Sequence, residues 1–283
     1  METNFFVKSH GLGNEYIVLD QSAIDFELTT VRVIQLCNIH VGIGSDGILL
    51  KVPAGNADFG LRILNPDGSE AEKSGNGLRI FAKYLFDFGF TSKMQFTIAT
   101  LGGVATAHIL EQINGKAFMI RVDIGRANFK SKEIPVSFNK EECFDESVAI
   151  GDEEYRIHCV SVGNPHCVVV KDQLDEAEIK RVGTLIENHP MFPNRINVQF
   201  VKVVSRDVVE ALIWERGAGF TQASGSSSSA IAAVLVKKGL TNRLIRVDMP
   251  GGSLKIEVDE SWNICLTGEV REIATGVLSK ELF

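Results

Sequence analysis

Two short stretches carry residues whose type and spacing could do chemistry. Ser74-Gly75-Asn76-Gly77 and Ser224-Gly225-Ser226-Ser227 each set a serine and a glycine directly before an apolar run. The first run holds Leu78, Ile80, Phe81, Tyr84, Leu85, Phe86 and Phe88 and stops near Gly89. The second holds Ala230, Ile231, Ala232, Ala233, Val234, Leu235 and Val236 and stops at Gly239. Such runs closed by glycine predict two helices that begin just after Ser74 and Ser224. Serine is a favoured N-cap, which would explain either site taken alone. A helix start also exposes unpaired N–H groups with about half a positive charge, and glycine lets a ligand come close to the backbone. Such an end binds a carboxylate or phosphate readily. Two of them, facing each other, would flank one anionic group with positions 74 and 224 on opposite sides.

That arrangement suits inversion of an α-carbon. One group removes the proton from one face, a second delivers a proton to the other, and held N–H donors stabilise the carbanion through the substrate carboxylate. Cysteine suits both proton-transfer roles, because its ordinary pKa of about 8.5 falls further at a helix N-terminus. Serine stays protonated near neutral pH, and the sequence shows no obvious activating base beside Ser74 or Ser224.

The elements that must position these residues are written twice. Gly13-Asn14 recurs as Gly163-Asn164, Asn65 aligns with Glu215, and Ser74-Gly75 recurs as Ser224-Gly225, each at an offset of 150 residues. Gly102-Gly103 recurs as Gly251-Gly252 at an offset of 149. This period is far too long for a solenoid and predicts two similar domains about a pseudo-twofold axis. In each half, alternating segments such as Tyr16-Ile17-Val18-Leu19 and Cys167-Val168-Val169-Val170 read as strands. A polar loop follows, Asn65-Pro66-Asp67-Gly68-Ser69 or Glu215-Arg216-Gly217-Ala218-Gly219, and then the apolar helix. A helix without a polar face must be wrapped by other structure. The expected fold is therefore α+β: two pseudo-symmetric domains, each a β-barrel-like sheet wrapped around a central helix. The expected bounds are 1–120 with 268–283 for the first domain and 121–267 for the second.

These motifs together resemble the diaminopimelate epimerase family, along nearly the whole chain. The resemblance runs through His10-Gly11-Leu12-Gly13-Asn14, Gly42-Ile43-Gly44-Ser45-Asp46-Gly47, Asn65-Pro66-Asp67-Gly68-Ser69-Glu70 and Ser74-Gly75-Asn76-Gly77-Leu78-Arg79. It continues through Gly163-Asn164-Pro165-His166, Asn197-Val198, Trp214-Glu215-Arg216-Gly217-Ala218-Gly219 and Thr221-Gln222-Ala223-Ser224-Gly225-Ser226. It implies two barrel-around-helix domains, a homodimer in the family's manner, and a small amino-acid substrate handled without pyridoxal phosphate, metal or other cofactor. Positions 74 and 224 match the family's two catalytic cysteines, and Glu215 and His166 match polar groups near them. Asn14, Asn65, Asn164, Asn197 and Arg216 match substrate contacts, while Gly75-Asn76 and Gly225-Ser226 match the backbone cradle for the reacting carboxylate. Chemistry agrees for Arg216, since a guanidinium can hold a second carboxylate through two parallel hydrogen bonds. An ion pair with Glu215 or another acid is the plainer reading of Arg216, and a satisfied structural histidine the plainer reading of His166.

The departures are specific. Both thiol positions hold serine. Phe220 stands where many members carry an acid, Ser227-Ser228-Ser229 replaces a stretch richer in Gly, Ala and Cys, and Gly47 is glutamine in many members, although glycine also occurs. Replacement by design would keep the shape, block the chemistry and prevent a disulfide between facing thiols. Natural loss of activity would leave a binding protein and should also erode Asn65, Asn197 and Arg216, which remain; design is favoured. The expected function is an epimerase scaffold interconverting LL- and meso-diaminopimelate by two-base proton transfer, in lysine and cell-wall precursor synthesis, inactive with both serines. The alternatives are a racemase of another amino acid such as histidine, a non-catalytic amino-acid-binding homologue, or an isomerase of the phenazine-biosynthesis kind.

Bulk properties narrow the partners. A net charge of −7 with no basic run argues against nucleic acid. No run of about 18 apolar residues suggests a membrane span, and Met1-Glu2-Thr3-Asn4 does not open a signal peptide. The five cysteines, at 37, 143, 159, 167 and 265, are scattered without metal-ligand spacing, so a reduced cytoplasmic compartment is expected.

Overall fold

A computed structural model of the chain describes residues 2–282. It opens with β1 (Phe5–Gly11), β2 (Asn14–Asp20), α1 (Thr30–Cys37), β3 (Ile48–Val52), β4 (Phe59–Leu64) and β5 (Glu70–Ala71). Helix α2 (Gly75–Asp87) follows, then β6 (Gln95–Thr100), β7 (Gly103–Ile113) and β8 (Lys116–Arg126). The sequence of elements then repeats: β9 (Phe144–Ile150), β10 (Glu153–Ser161), β11 (Pro165–Val170), α3 (Glu176–Glu187), β12 (Asn197–Val203), β13 (Val208–Glu215), β14 (Gly219–Thr221), α4 (Gly225–Lys237), β15 (Leu244–Met249), β16 (Gly252–Val258) and β17 (Asn263–Glu269). Strand β18 (Arg271–Val277) closes the order. The chain divides into two compact units, one running to Asp123 and resuming at Thr267, the other Ile124–Leu266.

Strand pairing shows the duplication more plainly than residue identity does. In the first unit β1 and β2 are antiparallel, β2 and β3 parallel, β3 and β4 antiparallel, β4 and β6 parallel, and β6 and β7 antiparallel. In the second unit the same alternation runs through β10, β11, β12, β13, β15 and β16. Strand β18 completes the first set by pairing with β1, as β9 does with β10.

The strands of each unit hold a helix. Helix α2 packs on β1, β2 and β7, and α4 on β10, β11, β12, β15 and β16. Ten of the thirteen α4 residues are buried, including Ser227, Ser228 and Ser229. Three serines in a core are tolerable because each hydroxyl is satisfied. Ser228 donates to the Ser224 carbonyl at 2.8 Å, Ser229 to the Gly225 carbonyl at 2.7 Å, and Ser227 accepts from Gln199 at 3.0 Å. Both helices stop on a left-handed glycine, Gly89 at φ 73° and Gly239 at φ 70°.

Two features were not legible in the sequence pattern. Each unit carries an outer helix: α1 buries Val33, Leu36 and Cys37, and α3 buries Ile179, Val182 and Ile186, spacings that make one apolar stripe. And α2 is not uniformly apolar inside. Arg79 and Lys83 are both buried. Lys83 bonds the Asp87 carboxylate at 2.7 Å and the Ala117 carbonyl at 2.6 Å, and Asp87 accepts from the Ala117 N–H at 2.7 Å. The end of α2 is thereby tied to β8 by a paired and hydrogen-bonded charge. No helix among the described residues is long and apolar enough to cross a membrane.

Candidate functional site

In the first unit the site is built on the start of α2. Ser74 is the N-cap, in extended backbone, and its Oγ accepts the Gly77 N–H at 3.0 Å. That leaves the first helical N–H groups, on Gly75 and Asn76, without an intrahelical acceptor. Gly102 lets the turn between β6 and β7 press beneath this start. Its N–H donates to the Glu72 carbonyl at 2.8 Å, and a Cβ at Gly102 would lie 2.8 Å from that same oxygen. Gly251 repeats the bond to the Gln222 carbonyl at 2.8 Å in the second unit. The doubled glycine pair seen in the sequence is therefore a doubled support for the two helix starts.

Behind α2 runs a chain of side chains. Arg79 donates to Asn76 Oδ1 at 2.7 Å, Asn76 Nδ2 to Asn14 Oδ1 at 3.0 Å, and Asn14 Nδ2 to Asp46 at 2.9 Å. A guanidinium only donates, so the orientation of both amides follows from Arg79. Arg79 also reaches the Gly75 carbonyl at 3.3 Å. It is fully buried, and burial pulls its guanidinium pKa down to about 9, so it remains charged at neutral pH. Asn65, on the loop between β4 and β5, donates to Ser69 Oγ at 2.9 Å. Tyr16, on β2, brings its phenol oxygen to 3.4 Å from Ser74 Oγ. That places a polar group beside Ser74 which the sequence reading did not find. The same ring explains the glycine at 47, since a Cβ there would meet Tyr16 Cε1 at 2.8 Å and the Leu64 carbonyl at 2.5 Å.

In the second unit Ser224 caps α4 and accepts the Ser227 N–H at 3.4 Å, with Ser226 Oγ also at 3.4 Å. Gly225 and Ser226 carry the first helical N–H groups here. A second polar chain leads away from this end: Ser227 to Gln199 at 3.0 Å, Gln199 to His166 Nδ1 at 3.0 Å, and His166 Nε2 to Asn164 Oδ1 at 2.9 Å. His166 is fully buried with both ring nitrogens engaged, and burial drives its pKa down to about 3, so the imidazole is neutral at physiological pH. It reaches Asn164 on one side and, through Gln199, the start of α4 on the other.

The Arg216 loop joins β13 to β14 in the same unit, on strands against which α3 packs. Asn197 is buried; its Nδ2 donates to the Pro165 carbonyl at 2.8 Å and its Oδ1 accepts the Arg216 N–H at 2.9 Å. Arg216 itself is exposed, with its guanidinium on the Asn194 carbonyl at 3.0 Å. Glu215 ends β13, and its carbonyl accepts the Ala218 N–H at 3.1 Å. Phe220 packs against the core with Lys180 4.7 Å over its ring, so the position serves packing here. Among the described residues no group of three or more His, Cys, Asp and Glu side chains is placed to hold a metal ion.

The diaminopimelate epimerase family model matches residues 6–130 and 158–273. The chain belongs to the diaminopimelate epimerase family. It is 44% identical over 279 residues to the diaminopimelate epimerase 2 of a Nostoc species, covering 98% of this chain and 96% of that one. It is 41% identical to the diaminopimelate epimerase of Caldanaerobacter subterraneus, covering 96% and 98%. Among solved structures, a probable proline racemase of Agrobacterium radiobacter K84 shares the fold at a TM-score of 0.70 and 14% identity, covering 98% of this chain and 93% of that one. Within the diaminopimelate epimerase fold, Asn14, Ser74, Gly75 and Asn76 gather at the start of α2, with Asn65 on the loop after β4. In the second unit Asn164, His166, Asn197, Glu215 and Arg216 are linked through the β11–β12 pairing and Asn197, and Gln199 and Ser227 connect His166 to Ser224, Gly225 and Ser226 at the start of α4. The sequence reading missed Tyr16, Arg79 and Gln199. Tyr16 and Gln199 lie inside strand patterns, and a charge such as Arg79 on a helix is ordinarily solvent-facing, so no local signal marked them.

Proposed function

We propose that this chain is a cofactor-independent epimerase scaffold for diaminopimelate, built to interconvert its LL and meso forms. The observation that carries the reading is the repeated helix start. Ser74 and Ser224 sit as N-caps over backbone donors on Gly75, Asn76, Gly225 and Ser226. These N–H groups would hold the α-carboxylate and stabilise negative charge spreading into it as the α-proton leaves. Positions 74 and 224 would make the two proton transfers, one removing and one delivering. Arg216, with Asn65 and Asn197, would hold the distal carboxylate, and Asn14 and Asn164 would make further polar contacts to the substrate. With hydroxyls at 74 and 224, the groups that must take up and give protons stay protonated near neutral pH, so substrate is bound and left unchanged.

Titration calorimetry of LL-diaminopimelate into the chain, followed by nuclear magnetic resonance of the bound ligand in deuterated water, tests this reading. The expected outcome is saturable binding with the α-proton retained. Absence of binding by a folded protein would overturn it.

A further inference from the structure

The loop that carries Arg216 is held from below by a carboxylate that none of the site motifs contains. Glu187, the last residue of α3, is buried at 4% exposure. Its Oε1 accepts from the Gly217 N–H at 2.9 Å and from Arg195 at 3.0 Å, and its Oε2 accepts from Trp214 Nε1 at 2.7 Å. Trp214 and Gly217 bracket Glu215 and Arg216. One carboxylate thus binds both flanks of the stretch that carries Glu215 and Arg216. Gly183, one turn earlier on α3, is needed for the same contact: a Cβ there would lie 2.7 Å from Trp214 Cγ. A buried carboxylate is stable only when donors satisfy it, and here three donors do so, two of them from the loop and its strand.

The repeat supplies an internal contrast. Position 187 corresponds to position 37 in the first unit at the same offset of 150, and position 37 is a buried cysteine. The first-unit loop, Asn65 to Ser69, is closed by its own residues instead: Ser69 N–H and Oγ both bond Asp67 at 2.9 and 2.6 Å. The anchor therefore appears only where the loop carries a guanidinium.

We propose that Glu187 is the positioning residue for Arg216 and so sets the preference for a ligand with a second carboxylate. The proposal rests on the diaminopimelate reading above. Glu187 does not touch the ligand; it fixes the turn from which the guanidinium extends, so that orientation is in place before binding.

The probes are LL-diaminopimelate and L-lysine, which lacks only the distal carboxylate. Glu187→Gln is expected to weaken diaminopimelate binding about tenfold and to change lysine binding by less than about twofold. In an Arg216→Ala background, Glu187→Gln is expected to add nothing to the loss for diaminopimelate. Hydrogen exchange in Glu187→Gln should speed up at residues 215–219 and stay unchanged along α4. Equal losses for both probes, additive losses with Arg216→Ala, or faster exchange throughout the unit would each overturn the proposal in favour of a general stabilising role. Failure of the parent chain to prefer diaminopimelate over lysine would sink the substrate reading itself; the preference claimed for Glu187 would fall with it, and the exchange result would still decide whether the loop is anchored. Should Glu187→Gln not fold, Trp214→Phe removes one donor and keeps the ring packing, and it must show the same selective loss at smaller size or the proposal fails.

Discussion

The starts of α2 and α4 have the same backbone and different side-chain support. Both are capped by serine, and both leave their first N–H groups without an intrahelical acceptor. The carbonyl one residue past the cap is bonded in each case by the side chain four residues on: Gly75 by the Arg79 guanidinium at 3.3 Å, Gly225 by the Ser229 hydroxyl at 2.7 Å. Tyr16 and His166 also occupy corresponding positions. Tyr16 turns its hydroxyl toward Ser74, whereas His166 turns to Asn164 and Gln199. The duplicated pairing pattern fixes where a side chain starts. What it does is decided by its own partners. The first helix start has a buried positive charge behind it; the second has neutral groups behind it, and its unit carries a carboxylate-anchored loop.

The largest expected effect that breaks this comparison is at position 79. Arg79→Ala removes a fully buried long side chain and leaves Asn76 Oδ1 without its donor, at an expected cost of about 2–5 kcal/mol in denaturant unfolding. Ser229→Ala at the matching place removes one hydroxyl bond and should cost about 1 kcal/mol. Equal costs would mean the two helix starts are supported alike. Acid sharpens the comparison from the other side. Burial holds His166 down to about 3 and His158 down to about 4, from an ordinary value near 6.5. Between those values and 6.5 the unfolded chain takes up protons that the folded second unit refuses. The stabilisation is therefore complete above about pH 6.5 and is lost as the pH falls. Going from pH 7 to pH 5 should cost ~2 kcal/mol for each histidine, and His166→Gln should remove its share of that slope. A slope unchanged by His166→Gln would contradict the neutral, buried assignment.

The repeat, the two helix starts and their glycine stops were legible because they rest on local chemistry: an N-cap, a left-handed C-terminus, an apolar run. Gly102 and Gly251 were legible as markers, although their reason, close approach to the Glu72 and Gln222 carbonyls, needed the fold. Arg79 and Lys83 were not. A charge inside an apolar run reads as the solvent side of a helix until its partners, Asn76 for one and Asp87 with Ala117 for the other, are known. Glu187 was hidden for a similar reason. It ends an amphipathic helix whose polar residues look interchangeable, and only the long-range bonds to Trp214 and Gly217 single it out.

The central claim is that the two capped positions are the proton-transfer sites of an otherwise intact epimerase. It is tested most directly by solvent-deuterium incorporation at the α-carbon of LL-diaminopimelate. Ser74→Cys/Ser224→Cys is measured beside the chain with both serines. The account predicts exchange and formation of the meso isomer only with both thiols in place. A folded double-cysteine protein that binds the substrate and exchanges nothing would contradict it.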